Sequence, residues 1–513
     1  MTDAVLPPLI QQMTQAEFYP HAVQEPLQLL QTHVSYVVLT GEYAYKVKKP
    51  VNFGFLNYST LELRRHFCEE ELRLNRRGAA ELYLEVIPIT QTNGRYHLGG
   101  GGDVVDYAVK MRQFPQEALL TSLDERGELT AELMVQLAEA IAQFHLNAYT
   151  DDYIRSFGRV ENVRQAFDEN YEQTQKYIGG PQTQEQFDKT RAWTDRFFAE
   201  RRDLLESRIQ QNCIRECHGD LHLRNIAYWN GKLLLFDCIE FNEPFRFVDF
   251  MFDIGYIMMD LEIRKRRDLA TIFLNTYVEQ TGDWEGLRVL PLYTSRQAYV
   301  RAKVTSFLLD DPSIPETEKE QARAIAAPYY TLAWDCLQPR TGRILLMSGL
   351  SGSGKSTTAR QLAQQLNAIH IRSDAVRKHL GGVPLNERGS DDLYTPAMTQ
   401  RTYQRLLDLG ILLATEGYSV ILDAKYDRQA LRQVAIAQAA AHHLPLQICA
   451  CYAPLEVLQS RLQQRVGDIA DATPAILAQQ TLESFTPAEL PHVVTIDTTQ
   501  DLHPQLTPLL ASP

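Results

Sequence analysis

An apolar run, Arg343-Ile344-Leu345-Leu346-Met347-Ser348, leads directly into Gly349-Leu350-Ser351-Gly352-Ser353-Gly354-Lys355-Ser356, and a helical pattern follows over 356–366. No other feature limits the fold as strongly. A buried strand must stop at a glycine-rich bend that turns successive N–H groups inward, and the next helix must aim its positive end at the same point. A loop of this kind cradles phosphate and matches GxxxxGK[ST] in full. Lys355 would neutralise the β- and γ-phosphates of a nucleoside triphosphate, and Ser356 would ligate Mg2+. Gly349 through Ser356, with Thr357, are therefore the candidates for ATP binding.

The rest of the C-terminal third is consistent with that loop. Strand-like stretches at 344–348, 369–373, 419–423, 446–450 and 493–497 alternate with helical patterns, which specifies a parallel sheet with right-handed crossovers. In such a doubly wound sheet, ligands gather at the carboxyl ends of the strands. Asp374 follows the second strand and is placed to accept a proton from a substrate hydroxyl, with Arg377 one helical turn on to hold an anionic group. The competing use of Asp374 is an ordinary helix N-cap. Val420-Ile421-Leu422 ends in Asp423, a carboxylate suited to the surroundings of Mg2+. A helical pattern over 455–466 carries Arg461 and Arg465 four residues apart on one face. Those guanidinium groups would close over phosphates as a lid; a solvated basic face is the competing use. The ordered set GLSGSGKS, SDxxR at 373–377, LDA at 422–424 and RxxxR at 461–465 resembles the P-loop small-molecule kinases that include zeta toxins, gluconate kinases and polynucleotide 5′-kinases, over about 344–500. In those families the acid matching Asp374 is the base, and the lid arginines bind phosphate.

The N-terminal part has a different pattern. Residues 34–39 and 43–51 read as strands joined by Thr40-Gly41-Glu42, 60–77 as a helix, 83–89 and 106–113 as further strands, and 129–147 as an amphipathic helix. Helices dominate from there to about 335, interrupted by a loop and strand over 217–237. Cys217-His218-Gly219-Asp220-Leu221-His222-Leu223-Arg224-Asn225, followed by Leu233-Leu234-Leu235-Phe236-Asp237, has the layout of a kinase catalytic loop. It resembles the aminoglycoside phosphotransferase family, whose loop reads HGDxxxxN, over about 25–310. That resemblance implies Asp220 as base, and Asn225 and Asp237 as metal ligands. Lys46 and Lys48 share one strand face; Lys46 is preferred for the ATP phosphates and Lys48 is the alternate. Glu71 is the preferred ion-pair partner, with Glu69 and Glu70 as rivals. The glycine-rich loop of a kinase is missing before the lysine, and the position of the usual Asp-Phe-Gly reads Asp237-Cys238-Ile239. Glu240 would serve metal or substrate, and Asp249 and Asp253 would cap and brace the next helix. His145 reads as a packed core residue and His222 as a brace within the loop.

A boundary falls between Ala333 and Arg343, giving domains at 1–338 and 339–513. The fold class is α/β and α+β in two domains: an N-terminal bilobal kinase-like fold and a C-terminal doubly wound parallel-sheet P-loop fold. From Arg340 onward 15 basic residues meet 15 acidic ones, so the net charge of −13 rests on the N-terminal part. That balance argues against a nucleic-acid-coating protein; it leaves open an acidic pocket for a cation or a solvated acidic surface. No apolar run reaches the roughly 18 residues of a membrane span, and the first residues do not read as a secretory signal. Seven scattered cysteines without a CxxC pair fit reduced thiols and a cytoplasmic setting.

The pairing of the two motifs resembles a family of bacterial two-domain proteins. It implies a bifunctional ATP- and Mg2+-dependent kinase acting on small-molecule hydroxyl acceptors, with no nucleic acid or membrane as partner. Two other readings stay open: a protein in which one domain binds nucleotide without turnover and controls the other, and a toxin-type kinase of nucleotide sugars.

Overall fold

The computed structural model describes residues 6–464, 469–470 and 473–510. The chain forms two compact units. The first comprises Met1–Thr130, Gln143–Gln173 and Thr194–Asp260, and the second Ala131–Ala142, Thr174–Trp193 and Leu261–Pro513. The second unit thus includes helices that precede residue 339.

In the first unit, β1 (Gln28–Gln31), β2 (Ser35–Leu39), β3 (Tyr43–Lys48), β4 (Tyr83–Thr92), β5 (Arg95–Leu98) and β6 (Asp103–Arg112) form an antiparallel sheet in the order β1-β2-β3-β6-β4-β5. Alternation along β3 decides what each face holds. Tyr45 and Val47 join Ile10, Met13, Val38, Ile89 and Ala108 in one core. On the opposite face, Lys46 and Lys48 reach Glu71 of helix Leu61–Ala79. That helix is capped by Thr60, whose hydroxyl accepts the Leu63 N–H. Two short antiparallel pairs follow. One joins β7 (Ile214–Glu216) to β10 (Phe247–Asp249), the other β8 (Ile226–Trp229) to β9 (Lys232–Leu235).

The second unit contains the expected parallel sheet: β11 (Arg343–Ser348), β12 (Ile369–Arg372), β13 (Ser419–Asp423), β14 (Leu446–Tyr452) and β15 (Val493–Asp497), in the order β12-β13-β11-β14-β15. β11 is buried at every position, as a central strand covered on both faces requires. Leu345, Met347, Ile421 and Cys449 pack against Leu362 and Leu506 of helices Lys355–Leu366 and His503–Leu510.

β12 is an outer strand with backbone groups facing away from the sheet, and Asn275 satisfies them. Its Nδ2 donates to the Ala368 carbonyl at 2.9 Å, and its Oδ1 accepts the His370 N–H at 2.7 Å. Helix Arg267–Thr281, which carries Asn275, thus stands where a further strand would pair. Asn275→Ala leaves a buried donor and acceptor open and is expected to cost about 1–3 kcal/mol; faster amide hydrogen exchange along 368–372 checks this.

The fold class is the one expected. β1, β5, β7 and β10 are additional to the expected strands, and the one strand expected within 217–237 is the hairpin β8–β9. β1 is largely exposed and has no hydrophobic alternation to reveal it. β5 follows Asn93-Gly94, a turn with φ of 53° and 78°, so its hairpin signal is present in the sequence. No helix among the described residues is long and apolar enough to cross a membrane. All seven cysteines are free thiols.

Candidate active sites

In the second unit the loop after β11 takes the backbone course that its glycines permit. Gly349 and Gly354 have φ of 143° and 88°. A Cβ on Gly349 would stand 2.4 Å from the Cys451 carbonyl oxygen, so only glycine fits there. Lys355 opens the following helix, and its Nζ donates to the Leu350 carbonyl at 2.8 Å, folded back over the loop. Burial holds its ammonium below the usual lysine range, opposed by Asp423.

One cleft of about 1140 Å³ is lined by Lys355, Ser356, Asp374, Arg377, Asp423 and Arg461 together with residues of the glycine loop, so the fold brings these expected residues together. Asp423 ends β13, and its Oδ2 is 3.0 Å from His370 Nε2. Burial alone would raise its carboxyl. Hydrogen bonds with His370 and with the Ser356 hydroxyl, together with the charge of Arg372, hold it well below the usual carboxylate range. Asp374 lies in the first turn of helix Ser373–Gly381, whose N-cap is Arg372. The N-cap use is therefore excluded, and the side chain lines the cleft. Arg377 is buried, donates to the Leu393 carbonyl at 2.8 Å and stands over the Tyr394 ring.

Arg461 departs from the lid geometry. It donates to Thr498 Oγ1 and to the Thr498 carbonyl, both at 2.8 Å, and to the Gly352 carbonyl at 3.3 Å. It lines the cleft, yet its guanidinium is already engaged in bracing the glycine loop, because helix Leu455–Gln464 packs beside that loop. Arg465 lies outside the described residues. Two neighbours of the loop had no motif to mark them. Gln480 Oε1 accepts the Ser351 N–H and its Nε2 donates to Ser351 Oγ, both at 3.0 Å, across 129 residues of chain. His370, which orients Asp423, is the other.

In the first unit the lysine question resolves into a chain of ion pairs. Lys46 Nζ lies 2.8 Å from Glu71 Oε1 and 2.9 Å from Asp237 Oδ1. Lys48 Nζ lies 2.6 Å from Glu71 Oε2 and pairs with Glu240 on its other side. Lys46 is thus the lysine that touches Asp237, and Lys48 is sealed in the interior. Glu69 and Glu70 are drawn off by Arg65 and Arg73. Glu240 is not open to a metal or substrate: it is buried, and Tyr58 also donates to it at 2.5 Å. Asp237 has a φ of 63°, uncommon for a residue with a Cβ, and its N–H donates to Tyr83 Oη at 3.2 Å. Partial desolvation among the neighbouring groups would raise its carboxyl, but Lys46 holds it below the usual range.

Asn225 Nδ2 donates to the Asp220 carbonyl at 3.0 Å and to Asp220 Oδ2 at 3.2 Å. The Phe236 N–H donates to the Asn225 carbonyl, which sets Asp237 one residue beyond Asn225 across the hairpin. His222 Nε2 is 3.3 Å from Asp220 Oδ2. Asp249 pairs with buried Arg208 and accepts the Met251 N–H, as a helix cap does. Asp253 does more than brace its helix. It accepts the His218 N–H at 2.7 Å and the Gly219 N–H at 2.9 Å, and it contacts His145 Nε2 at 3.1 Å. His145, Cys217 and Asp253 are the one trio of possible metal ligands among the described residues. Burial keeps the Cys217 thiol protonated and the carboxylate is already saturated, so the trio serves as an internal brace. The Thr40-Gly41-Glu42 turn offers a phosphate little, since the Gly41 N–H is spent on Gln113 Oε1 at 2.9 Å.

A parallel sheet whose central strand ends in a glycine loop, with Lys355, Ser356 and Asp423 at its mouth, defines a P-loop nucleotide-binding domain. Residues 344–487 match the AAA domain family. The chain is 32% identical over 452 residues to Uncharacterized protein Rv2004c of Mycobacterium tuberculosis, and equally to Uncharacterized protein Mb2027c of Mycobacterium bovis; the match covers 87% of this chain and 88% of each relative. It belongs to the family of these mycobacterial proteins. Among solved structures it is similar to a sugar kinase from Janibacter (23% identity, 34% of this chain and 99% of that one, TM-score 0.25). It is also similar to a choline/ethanolamine kinase family protein from Mesorhizobium loti (10% identity, 64% and 99%, TM-score 0.37).

Proposed function

We propose that the chain is a two-site ATP-dependent phosphotransferase that moves the γ-phosphate of MgATP to hydroxyl groups of small molecules, with one site on each side of residues 338 and 339. The observation that carries this reading is the single cleft in which Lys355, Ser356, Asp374, Arg377 and Asp423 converge. In it, Asp374 accepts the proton of the attacking hydroxyl, Arg377 holds the acceptor, and the loop N–H groups with Lys355 orient the phosphates. Ser356 and Asp423 offer hard oxygen donors that fit Mg2+. Bound there, the ion would supply charge neutralisation to the phosphates. In the first unit Asp220 has the same role as base, Lys46 holds phosphate, and Asn225 and Asp237 supply the oxygen donors. ATP and free thiols suit a cytoplasmic enzyme.

One observation favours a second reading. With the Gly41 N–H already bonded, the first unit has a thin phosphate clamp and would bind a ligand without turnover, controlling the other site. Transfer of labelled γ-phosphate by the full chain across a library of hydroxylated metabolites separates the two. Under the two-site reading, Asp220→Asn and Asp374→Asn remove different products. If Asp220→Asn leaves every product intact, the regulatory reading replaces it. If neither variant loses a product, phosphate transfer by these residues is wrong.

A further inference from the structure

The first unit contains a second cleft, of about 800 Å³, that touches none of Asp220, Asn225, Asp237 or Lys46. The turn Pro244–Arg246 lies between it and the Asp220 loop: a Cβ on Gly219 would meet the Phe245 carbonyl oxygen at 2.6 Å. Glu240, on the cleft wall, is the last member of the ion-pair chain that begins at Asp237.

The walls of this cleft are aromatic and outward-facing. Phe55, 53% exposed, stacks beside Phe53 with ring centroids 6.3 Å apart, and lies 6.3 Å from Phe241. Facing rings come from Tyr153, 57% exposed and edge-on to Phe247. These rings stay out of the core because their backbone is fastened: Asn242 Nδ2 donates to the Phe55 carbonyl at 3.0 Å. The remaining oxygen of that amide, Asn242 Oδ1, is shut from solvent and accepts no hydrogen bond from the described residues. Glu70 and Glu216 pair closely with Arg73, whereas Glu243 has only a long contact with a cation. Its nearest cation, Arg246, is 3.9 Å away and already pairs with Glu216, and its other contact is the Tyr153 hydroxyl at 2.7 Å.

Aromatic faces beside a carboxylate whose one cation stands 3.9 Å away and is shared with Glu216 complement one chemistry. The rings attract positive charge through their quadrupoles, and the carboxylate attracts it directly. A neutral apolar guest would leave Glu243 with only a shared cation, and an anion would meet five lining acids, Glu70, Asp151, Glu216, Glu240 and Glu243, against Arg73 and Arg246. We infer that this cleft is a binding site for an organic ammonium ion, distinct from both candidate phosphotransfer sites. The site does not depend on phosphate transfer by either unit.

Saturation-transfer NMR on the full chain tests this with butylammonium chloride against 1-butanol, a neutral molecule of the same shape. Butylammonium is expected to bind and butanol not. Phe55→Ala, at an exposed position, and Glu243→Gln, at a half-buried one, should each weaken binding about five- to thirty-fold. Glu185→Gln, an exposed acid on another helix, should leave it unchanged. Equal binding of butanol, undiminished binding in both cleft variants, or an equal loss in Glu185→Gln would each overturn the assignment. Circular dichroism of the variants separates loss of the site from loss of fold.

Discussion

Asp374→Asn is expected to lower turnover at the P-loop site by about 10²–10⁴-fold, the range for removing a positioned general base, while ATP affinity stays unchanged. The side chain lines the cleft from the first turn of helix Ser373–Gly381, inside the N-cap position held by Arg372, and asparagine keeps its size and one acceptor oxygen there. That helix is also tied down at its far end, where His379 Nε2 is 2.7 Å from the Glu279 carbonyl oxygen. Lys355→Ala should behave in the opposite way and weaken nucleotide binding itself. A fluorescent ATP analogue for affinity and single-turnover transfer for chemistry distinguish the two. If Asp374→Asn loses nucleotide affinity and turnover together, the residue shapes the nucleotide site and is not the base.

Asp253→Ala should open the loop that carries Asp220. The carboxylate is fully buried and accepts two successive backbone N–H groups while also holding His145. Its removal strands both amides in the interior, a loss of about 3–5 kcal/mol by the measure of broken buried charge interactions. At 1.4 kcal/mol per decade, amide exchange at 218–219 should quicken by about 10²–10³-fold or more, with the β11–β15 sheet unaffected. Asp253→Asn, which keeps one acceptor oxygen, should fall between. The pH dependence has a definite sign. Burial would raise this carboxyl, and His145, His218 and the loop amides hold it below the usual range. Its contribution is therefore complete above the unfolded value near 3.9 and is lost as pH falls through the lower folded value. Unchanged exchange at 218–219 in Asp253→Ala would show that the loop is held by other contacts.

Much of both candidate sites could be read in the chain because their residues are local to a motif. The glycine loop, Lys355 and Ser356 are contiguous, and Asp374 and Asp423 each follow a strand visible as an apolar run. Asp220, Asn225 and Asp237 are separated only by a short hairpin. Where two residues compete at one spacing, the chain alone does not choose between them. Lys46 and Lys48 share a strand face, and only the position of Asp237 on one side and Glu240 on the other assigns their partners. Glu240 reads as an open acid in the sequence; in the fold it is a buried counter-ion, because a lysine two residues from the candidate nucleotide lysine needs its own neutralisation.

The glycine loop after β11 followed from the sequence alone, since the positive φ angles of Gly349 and Gly354 and the helix behind them are local to one contiguous motif. Tertiary structure decided what that loop is surrounded by. Gln480 reaches Ser351 across 129 residues, His370 orients Asp423, and Asn275 pairs the outer strand from a helix that precedes the boundary read in the sequence. Such contacts are polar, single and long-range. They leave no periodicity in the chain, because their cause is the requirement that every buried donor and acceptor find a partner, whatever segment supplies it.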